Sequence, residues 1–124
     1  MKRLAAALVA VVLGLIPLDV STIAGENSRK LSGREIREKI AGMELTDGVH
    51  WRDVYDRGGR LRSYSDGKGR VGKWTIKKDE LCIYFEEPDD GCYEVLFSGD
   101  RIELKPSGLG LTIDGTLQLP TDRN

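Results

Sequence analysis

The sequence predicts a mainly β domain, a small antiparallel meander that forms a barrel or a strongly curved sheet with one short N-terminal helix. Three observations support this fold class. Helical spacing of apolar residues is confined to one segment that follows Leu31. From Gly48 onward, apolar residues alternate with polar ones over short runs. Turn-forming residues separate these runs at short intervals, which favours antiparallel pairing.

The predicted helix begins at Ser32. Ser32 and Glu35 have the spacing of a capping box, and Leu31 and Ile36 flank this start as a hydrophobic staple. The apolar face of the helix comprises Ile36, Ile40 and Met43. Gly42 provides a stop. We therefore expect a helix of about three turns that needs a sheet to pack against.

The predicted strands are short, and turn chemistry bounds each of them. The apolar runs are 49–51, 54–55, 61–64, 71–76, 81–85, 92–97, 101–105, 109–113 and 117–119. The turns between them are 57–59, 66–67, 78–79, 98–100, 106–108 and 114–115.

Two of these turns predict a strand register. Two-residue turns at 78–79 and 99–100 would place apolar residues opposite one another on one face, which is the outcome that register selection requires. The predicted pairs are Trp74 with Ile83, Ile76 with Leu81, Val95 with Leu104 and Phe97 with Ile102.

The same alternation places Cys82 and Cys92 together on the opposite face. Directly opposed cysteines would centre the hairpin on Glu87 and leave 88–91 in a wide loop, whereas a tight turn at 89–90 would separate them too far for a bond. Two cysteines in an exported chain predict one disulfide. The alternatives are a redox pair, which usually sits closer as C-x-x-C, and metal ligands, which need further cysteine or histidine.

The sequence of 124 residues predicts three segments. Residues 1–24 resemble a signal peptide in layout, because a basic start precedes an apolar run and small residues lead to Ala24. The alternative, a membrane anchor, needs about 20 apolar residues, more than the run supplies. Residues 25–30 form a flexible segment, and 31–124 form the single β-rich domain. The sequence thus predicts a periplasmic or secreted protein without a stable membrane span after cleavage.

The charge is close to neutral. The full chain has 19 basic and 20 acidic residues, and removal of Lys2, Arg3 and Asp19 leaves 17 and 19. Such a balance gives no electrostatic reason to bind nucleic acid.

A glycine-rich stretch imitates a nucleotide-binding loop. Gly67, Gly69 and Gly72 fit G-x-G-x-x-G, and the stretch from Gly67 to Lys73 fits G-x-x-x-x-G-K. A phosphate loop must open a helix and carry serine or threonine after the lysine, but here Trp74 follows and the next residues alternate like a strand. We therefore expect an Asp-Gly hairpin and a thin strand, with no bound nucleotide.

Several short motifs occur in a fixed order: Leu31-Ser32-Gly33-x-Glu35-Ile36, Gly42, Gly72-x-Trp74, Leu81-Cys82 and Cys92-Tyr93. In this order the chain resembles a group of small exported proteobacterial proteins known as domains of unknown function. The resemblance covers residues 31–104. It implies a periplasmic β-rich domain with one disulfide, and it implies no catalytic or binding residues.

Two polar features are candidate sites. His50 is the only histidine, and a base needs a nucleophile and an orienting group, so we expect a solvated strand histidine. The acidic row Glu86, Glu87, Asp89 and Asp90 lacks the spacing of a calcium loop, so we expect a solvated loop and no bound metal.

The remaining candidate is a ligand pocket formed by Trp51, Tyr55 and Trp74 on one face, with Ser63 and Ser65 nearby. Such aromatics also commonly form core. The sequence therefore predicts a non-enzymatic binding module for an envelope protein, without a cofactor. The alternative is a carrier of a small apolar ligand in a barrel cavity, and a hydrolase or transferase has the least support.

Overall fold

The computed structural model describes residue 14 and residues 28–88 and 90–121. The predicted signal peptide lies outside these residues apart from Gly14, and so do residues 25–27 of the predicted flexible segment. The last two residues of that segment form a strand.

One helix and nine strands make up the described chain. They are β1 Arg29–Lys30, α1 Gly33–Ile40, β2 Glu44–Thr46, β3 Trp51–Tyr55, β4 Arg60–Ser65, β5 Lys68–Lys77, β6 Glu80–Tyr84, β7 Gly91–Ser98, β8 Arg101–Pro106 and β9 Ile113–Gln118. Strands β2 to β9 pair in sequence order, and β9 pairs with β2. The result is a closed antiparallel barrel of eight strands, which confirms the predicted fold class.

The two ends of the barrel differ. The upper end carries the turns β3–β4, β5–β6 and β7–β8 together with α1, whose first backbone N–H (Gly33) donates to Asp79 Oδ1 at 2.8 Å. The lower end carries the loops β2–β3, β4–β5, β6–β7 and β8–β9. Strand β1 extends the sheet beside the upper part of β7.

The start of the helix follows the prediction. Ser32 Oγ accepts from the Glu35 backbone N–H at 3.3 Å, and the Ser32 backbone N–H donates to Glu35 Oε1 at 3.2 Å. The helix ends at Ile40 because Gly42, with φ +79°, turns the chain back. The predicted length of three turns is therefore wrong: α1 has 8 residues, and Met43 lies outside it.

The predicted registers are confirmed. Trp74 lies opposite Ile83, and Val95 lies opposite Leu104. Cys82 is paired directly with Cys92, and the two form a disulfide. Since the cysteines fix this register, the β6–β7 connection is the wide loop that the disulfide requires.

Several predicted strand boundaries are wrong. Residues 107–112 form the β8–β9 loop, and β9 runs through the predicted turn at 114–115. Gly115 lies close against the β2 backbone, because it has no side chain. A Cβ at this position would be only 2.7 Å from Thr46 O. Strand β2 was missed because three residues are too few to show a period, and all three are buried although two of them are polar. The run 49–51 contributes only Trp51 to β3, which places His50 in a loop rather than a strand.

The glycine-rich stretch forms the β4–β5 turn and most of β5, as predicted. Asp66 and Gly67 occupy the turn with φ of 52° and 76°. Gly72 makes room for an aromatic ring, since a Cβ there would lie 2.5 Å from Phe85 Cδ1. The thin strand therefore makes room for the Phe85 ring and for the backbone oxygen of Tyr84.

Candidate functional site

The upper half of the barrel interior is a packed apolar core. Tyr55 and Trp74 meet edge to face with ring centroids 5.8 Å apart, and Ile36 and Ile40 of α1 pack into the same cluster. Trp74 Nε1 donates to the Asp56 carbonyl at 2.9 Å, so the indole is both buried and hydrogen-bonded. Side chains fill this half, which leaves the polar groups of the interior in the lower half.

A row of polar residues faces inward below that core. Asp53 pairs with Ser63, and Ser63 pairs with Arg70 on the next strand. Tyr55 and Leu61 are buried one layer above in β3 and β4, so alternation directs Asp53 and Ser63 into the barrel. Ser63 Oγ donates to Asp53 Oδ1 at 2.6 Å. The lower interior therefore contains a carboxylate.

The hydroxyl of Tyr55 reaches into this polar layer. It is fully buried and has no hydrogen-bond partner among the described residues. Burial raises the pKa of Tyr55 well above its usual range, and the charge of Asp53 and the nearby Tyr93 add to the rise. Asp53 and Tyr55 are two positions apart in β3, so their side chains leave the strand on the same face.

Asp53 is poorly compensated. Burial raises the pKa of its carboxyl, and this effect outweighs the Ser63 hydrogen bond and the positive charge of Arg70. Within residues 28–88 and 90–121, Asp53 forms no ion pair. Arg70 instead stacks over the Phe85 ring at 4.0 Å and lies 3.9 Å from Glu87 Oε1.

The β2–β3 loop at the lower end is built around one carboxylate. Asp47 Oδ1 accepts the backbone N–H groups of Val49, His50 and Trp51 at 2.9, 2.7 and 3.0 Å. Its Oδ2 lies 2.9 Å from His50 Nδ1. Partial burial alone would raise the pKa of Asp47, but these hydrogen bonds hold it well below its usual range. Asp47 therefore fixes the conformation of the β2–β3 loop and binds the ring of His50, the only histidine in the sequence.

Large apolar side chains project from the lower end. Val49 on the β2–β3 loop is 81% exposed, and Leu109 and Leu111 on the β8–β9 loop are almost fully exposed. The two loops adjoin, because β2 and β9 pair from Thr46 and Thr116 upward. They form an apolar rim, which we define as Val49, Leu109 and Leu111.

A groove of about 540 Å³ lies beside the apolar rim, on the outer wall of β2, β3, β4 and β9. Its floor contains Arg52, whose guanidinium stacks 3.9 Å over the Tyr64 ring and contacts Glu44 at 3.1 Å. Glu44 is buried and also accepts from Gln118 and Thr121. Burial alone would raise the pKa of Glu44, but these hydrogen bonds lower it.

The acidic row belongs to the β6–β7 loop. Asp90 caps that loop by accepting from the backbone N–H groups of Phe85 and Glu87 at 2.7 and 3.1 Å, while Asp89 lies outside the described residues. Across the described ranges, no three histidine, cysteine, aspartate or glutamate side chains are grouped to hold a metal ion.

All three predicted pocket residues face the barrel interior and contact one core cluster. Tyr55 and Trp74 belong to the upper core, whereas Trp51 lies two layers below Tyr55 and packs against the core edge. Sequence reasoning missed Asp53. The signal was available, because alternation between inward Trp51 and Tyr55 also directs residue 53 inward.

No family model, curated protein or solved structure matches this chain. The described residues contain no helix that is long and apolar enough to cross a membrane.

Proposed function

We propose that the protein is a non-enzymatic binding module that contacts another protein through the lower end of its barrel. The observation that carries this proposal is the apolar rim. Three of the five exposed large hydrophobic residues in the described chain lie in its two adjoining loops. Clustered apolar side chains on a soluble surface are typical of interaction sites.

The β2–β3 loop is suited to recognition because it is already ordered. Three backbone N–H groups and the His50 ring all bond to Asp47, and Thr46 Oγ1 accepts from the Gly48 backbone N–H at 2.9 Å. A preordered loop loses little conformational freedom on binding. Val49 can therefore insert into a partner at low entropic cost.

Charge favours a protein partner over an anionic membrane. In their described parts, the four lower loops carry acidic side chains and no lysine or arginine. The acidic residues are Asp47, Asp66, Glu86, Glu87 and Asp90. A negatively charged bilayer attracts basic segments, so it would repel this end. We expect the partner to offer an apolar pocket with basic residues around it.

We place the protein outside the cytoplasm. The disulfide between Cys82 and Cys92 is consistent with an oxidising compartment. Intact mass of the protein from its own cells should begin near Gly25, whereas a full-length chain retained in the membrane would contradict export. The apolar-ligand alternative has less support than the protein partner, because side chains fill the apolar half of the barrel interior.

Site-specific photo-crosslinking tests the interaction. A photoreactive residue at Val49 or Leu111 should give one discrete protein adduct in the native host. The matched control is Val71, which is also apolar and is 64% exposed, but lies on the outer wall of β5. Equal adducts at all three positions, or none at the apolar rim, would contradict the proposal. If the protein floats with anionic vesicles and this depends on Val49 and Leu111, the surface would be assigned to a membrane instead.

A further inference from the structure

We propose that the lower half of the barrel interior binds a small organic ammonium ion, which the Asp53 carboxylate and the Tyr55 hydroxyl hold. This site lies on the inner face of the barrel. It is independent of the apolar rim, which lies on the outer surface of the loops.

The first observation is the carboxylate without a counterion. Asp53 faces the interior, where it accepts a hydrogen bond from Ser63 and forms no ion pair among the described residues. Asp53 is partly buried, and withdrawing a carboxylate from water is costly unless it is paired and hydrogen-bonded. The nearest inward cation, Arg70, is directed to the Phe85 ring and to Glu87 at the mouth. A ligand that supplies positive charge would remove this deficit.

The second observation is the unpartnered phenol. Tyr55 has a relative exposure of 0%, and its hydroxyl bonds to no described residue. Buried polar atoms in folded proteins nearly always have a partner. Asp53 and Tyr55 are adjacent on the inward face of β3, so a single ligand with several N–H donors can serve both oxygens. A primary ammonium group has three such donors.

The third observation is space. Gly91 pairs directly with Ile83, whose side chain belongs to the core, so a side chain at position 91 would also point inward. A Cβ built on Gly91 meets no atom of the described residues within 4 Å. The inner face of β7 therefore has room at Gly91, in contrast to Gly72 and Gly115, whose inward faces are already occupied.

The surrounding side chains favour an ammonium ion over a neutral alcohol. Trp51, Phe85 and Tyr93 pack against the core from the lower interior. Aromatic faces attract cations, and the attraction grows when water is excluded. The loops at the mouth are acidic, which raises the local concentration of a cation.

Calorimetry or NMR titration of the intact protein tests the site with propylammonium and benzylammonium. Propanol, benzyl alcohol, propionate and benzoate are controls that keep each shape and change its charge. We expect saturable binding of at least one ammonium ion, and binding about tenfold or more weaker for its alcohol and carboxylate. Equal binding of the alcohol, or no ammonium binding at millimolar concentration, would overturn the proposal.

Four variants locate the binding. Asp53→Asn should weaken ammonium binding about tenfold or more, because it removes the charge and keeps the shape. The control Asp66→Asn makes the same change at the exposed β4–β5 turn of the same end and should leave affinity unchanged. Gly91→Leu should block the space, and Tyr55→Phe should weaken binding severalfold. Circular dichroism should show all four folded. If Asp66→Asn lost as much ammonium affinity as Asp53→Asn, the loops and not the interior would attract the ion.

The pH dependence of ammonium affinity distinguishes a role of Asp53 in binding from a purely structural role. The ammonium probes stay charged across acidic and neutral pH, whereas Asp53 takes up a proton as the pH falls through its raised pKa. The charged group that faces it from a packed element is Arg70, and the raised pKa of Tyr55 keeps that phenol neutral there. Affinity should therefore fall with acidification in the unmodified protein and stay flat in Asp53→Asn. A flat profile in both would overturn the role of Asp53.

Discussion

The substitution Tyr55→Phe should make the ligand-free protein more stable. The Tyr55 hydroxyl is fully buried and unpartnered in the described structure. An unsatisfied buried polar group costs about 1–3 kcal/mol of folding free energy through lost hydration. Removal of the hydroxyl removes this cost, so we expect the free energy of unfolding to rise by about 1–3 kcal/mol.

The change isolates the hydroxyl because phenylalanine keeps the ring. The edge-to-face contact with Trp74 at 5.8 Å and the packing of the upper core should persist. Removal of one oxygen leaves too small a void to offset the gain. The matched control is Tyr84→Phe on the outer wall of β6, where the residue is only partly buried. That control should change stability by less than about 0.5 kcal/mol.

Urea denaturation measures both variants. The midpoint should rise for Tyr55→Phe at an unchanged slope, which separates a change in stability from a change in the exposed surface. By thermal melting, each kcal/mol corresponds to about 4–8 °C in a domain of this size. A destabilised Tyr55→Phe protein would refute the reasoning, because it would show that the hydroxyl is hydrogen-bonded in the folded state. A more stable variant with weaker ammonium binding would indicate that the hydroxyl serves a ligand at the expense of stability.

Three other perturbations have defined outcomes. Ser32→Ala should lower the free energy of unfolding in urea by about 0.5–2 kcal/mol, since it removes the N-cap; a neutral result would mean that the cap contributes nothing. Thiol labelling of the denatured, unreduced protein should find no free Cys82 or Cys92, and reduction should destabilise the fold by up to about 2–3 kcal/mol; two reactive thiols would contradict the bond. Glu44→Gln should cost about 1–3 kcal/mol at neutral pH, because the new amide faces the Gln118 donor. The folded-state pKa of Glu44 is lowered, so its contribution should be lost as the pH falls below about 4.3, and the gap between Glu44→Gln and the unmodified protein should narrow there. A gap that is constant with pH would exclude this linkage.

The sequence predicts the central hairpins well because local chemistry and long-range packing agree there. The turn at 78–79 and the apolar pairs beside it specify the same register, and Cys82 and Cys92 specify the next one. The capping box at Ser32 is equally local, since both of its bonds lie within one turn.

The strands that close the barrel could not be predicted in the same way. Strand β9 contains Asp114 and Gly115, a dipeptide typical of turns. It stays extended because its glycine lies against the Thr46 carbonyl and the Trp51 ring, which are distant in sequence. Strand β2 has only three residues, all buried. Both assignments depend on closure, which local patterns do not contain.

The polar interior was missed for a different reason. Period-two alternation fixes which residues share a face, but aspartate is normally assigned to the solvated face. Asp53 lies between Trp51 and Tyr55, so the pattern and the residue type disagree at this position. The structure resolves the conflict in favour of the pattern. A conflict of this kind between pattern and residue type is a better indicator of a site than the aromatic residues Trp51, Tyr55 and Trp74.

The exceptions to ordinary folding rules are unevenly distributed over the molecule. In the upper half, the helix is capped, the core is apolar, and the Trp74 indole has its partner. In the lower half, Asp53 faces inward, Gly91 leaves space, and the apolar rim is exposed. Natural proteins tend to break folding rules at functional positions and to compensate elsewhere. The upper half supplies the stability that permits these exceptions, so both proposed binding surfaces belong to the lower half.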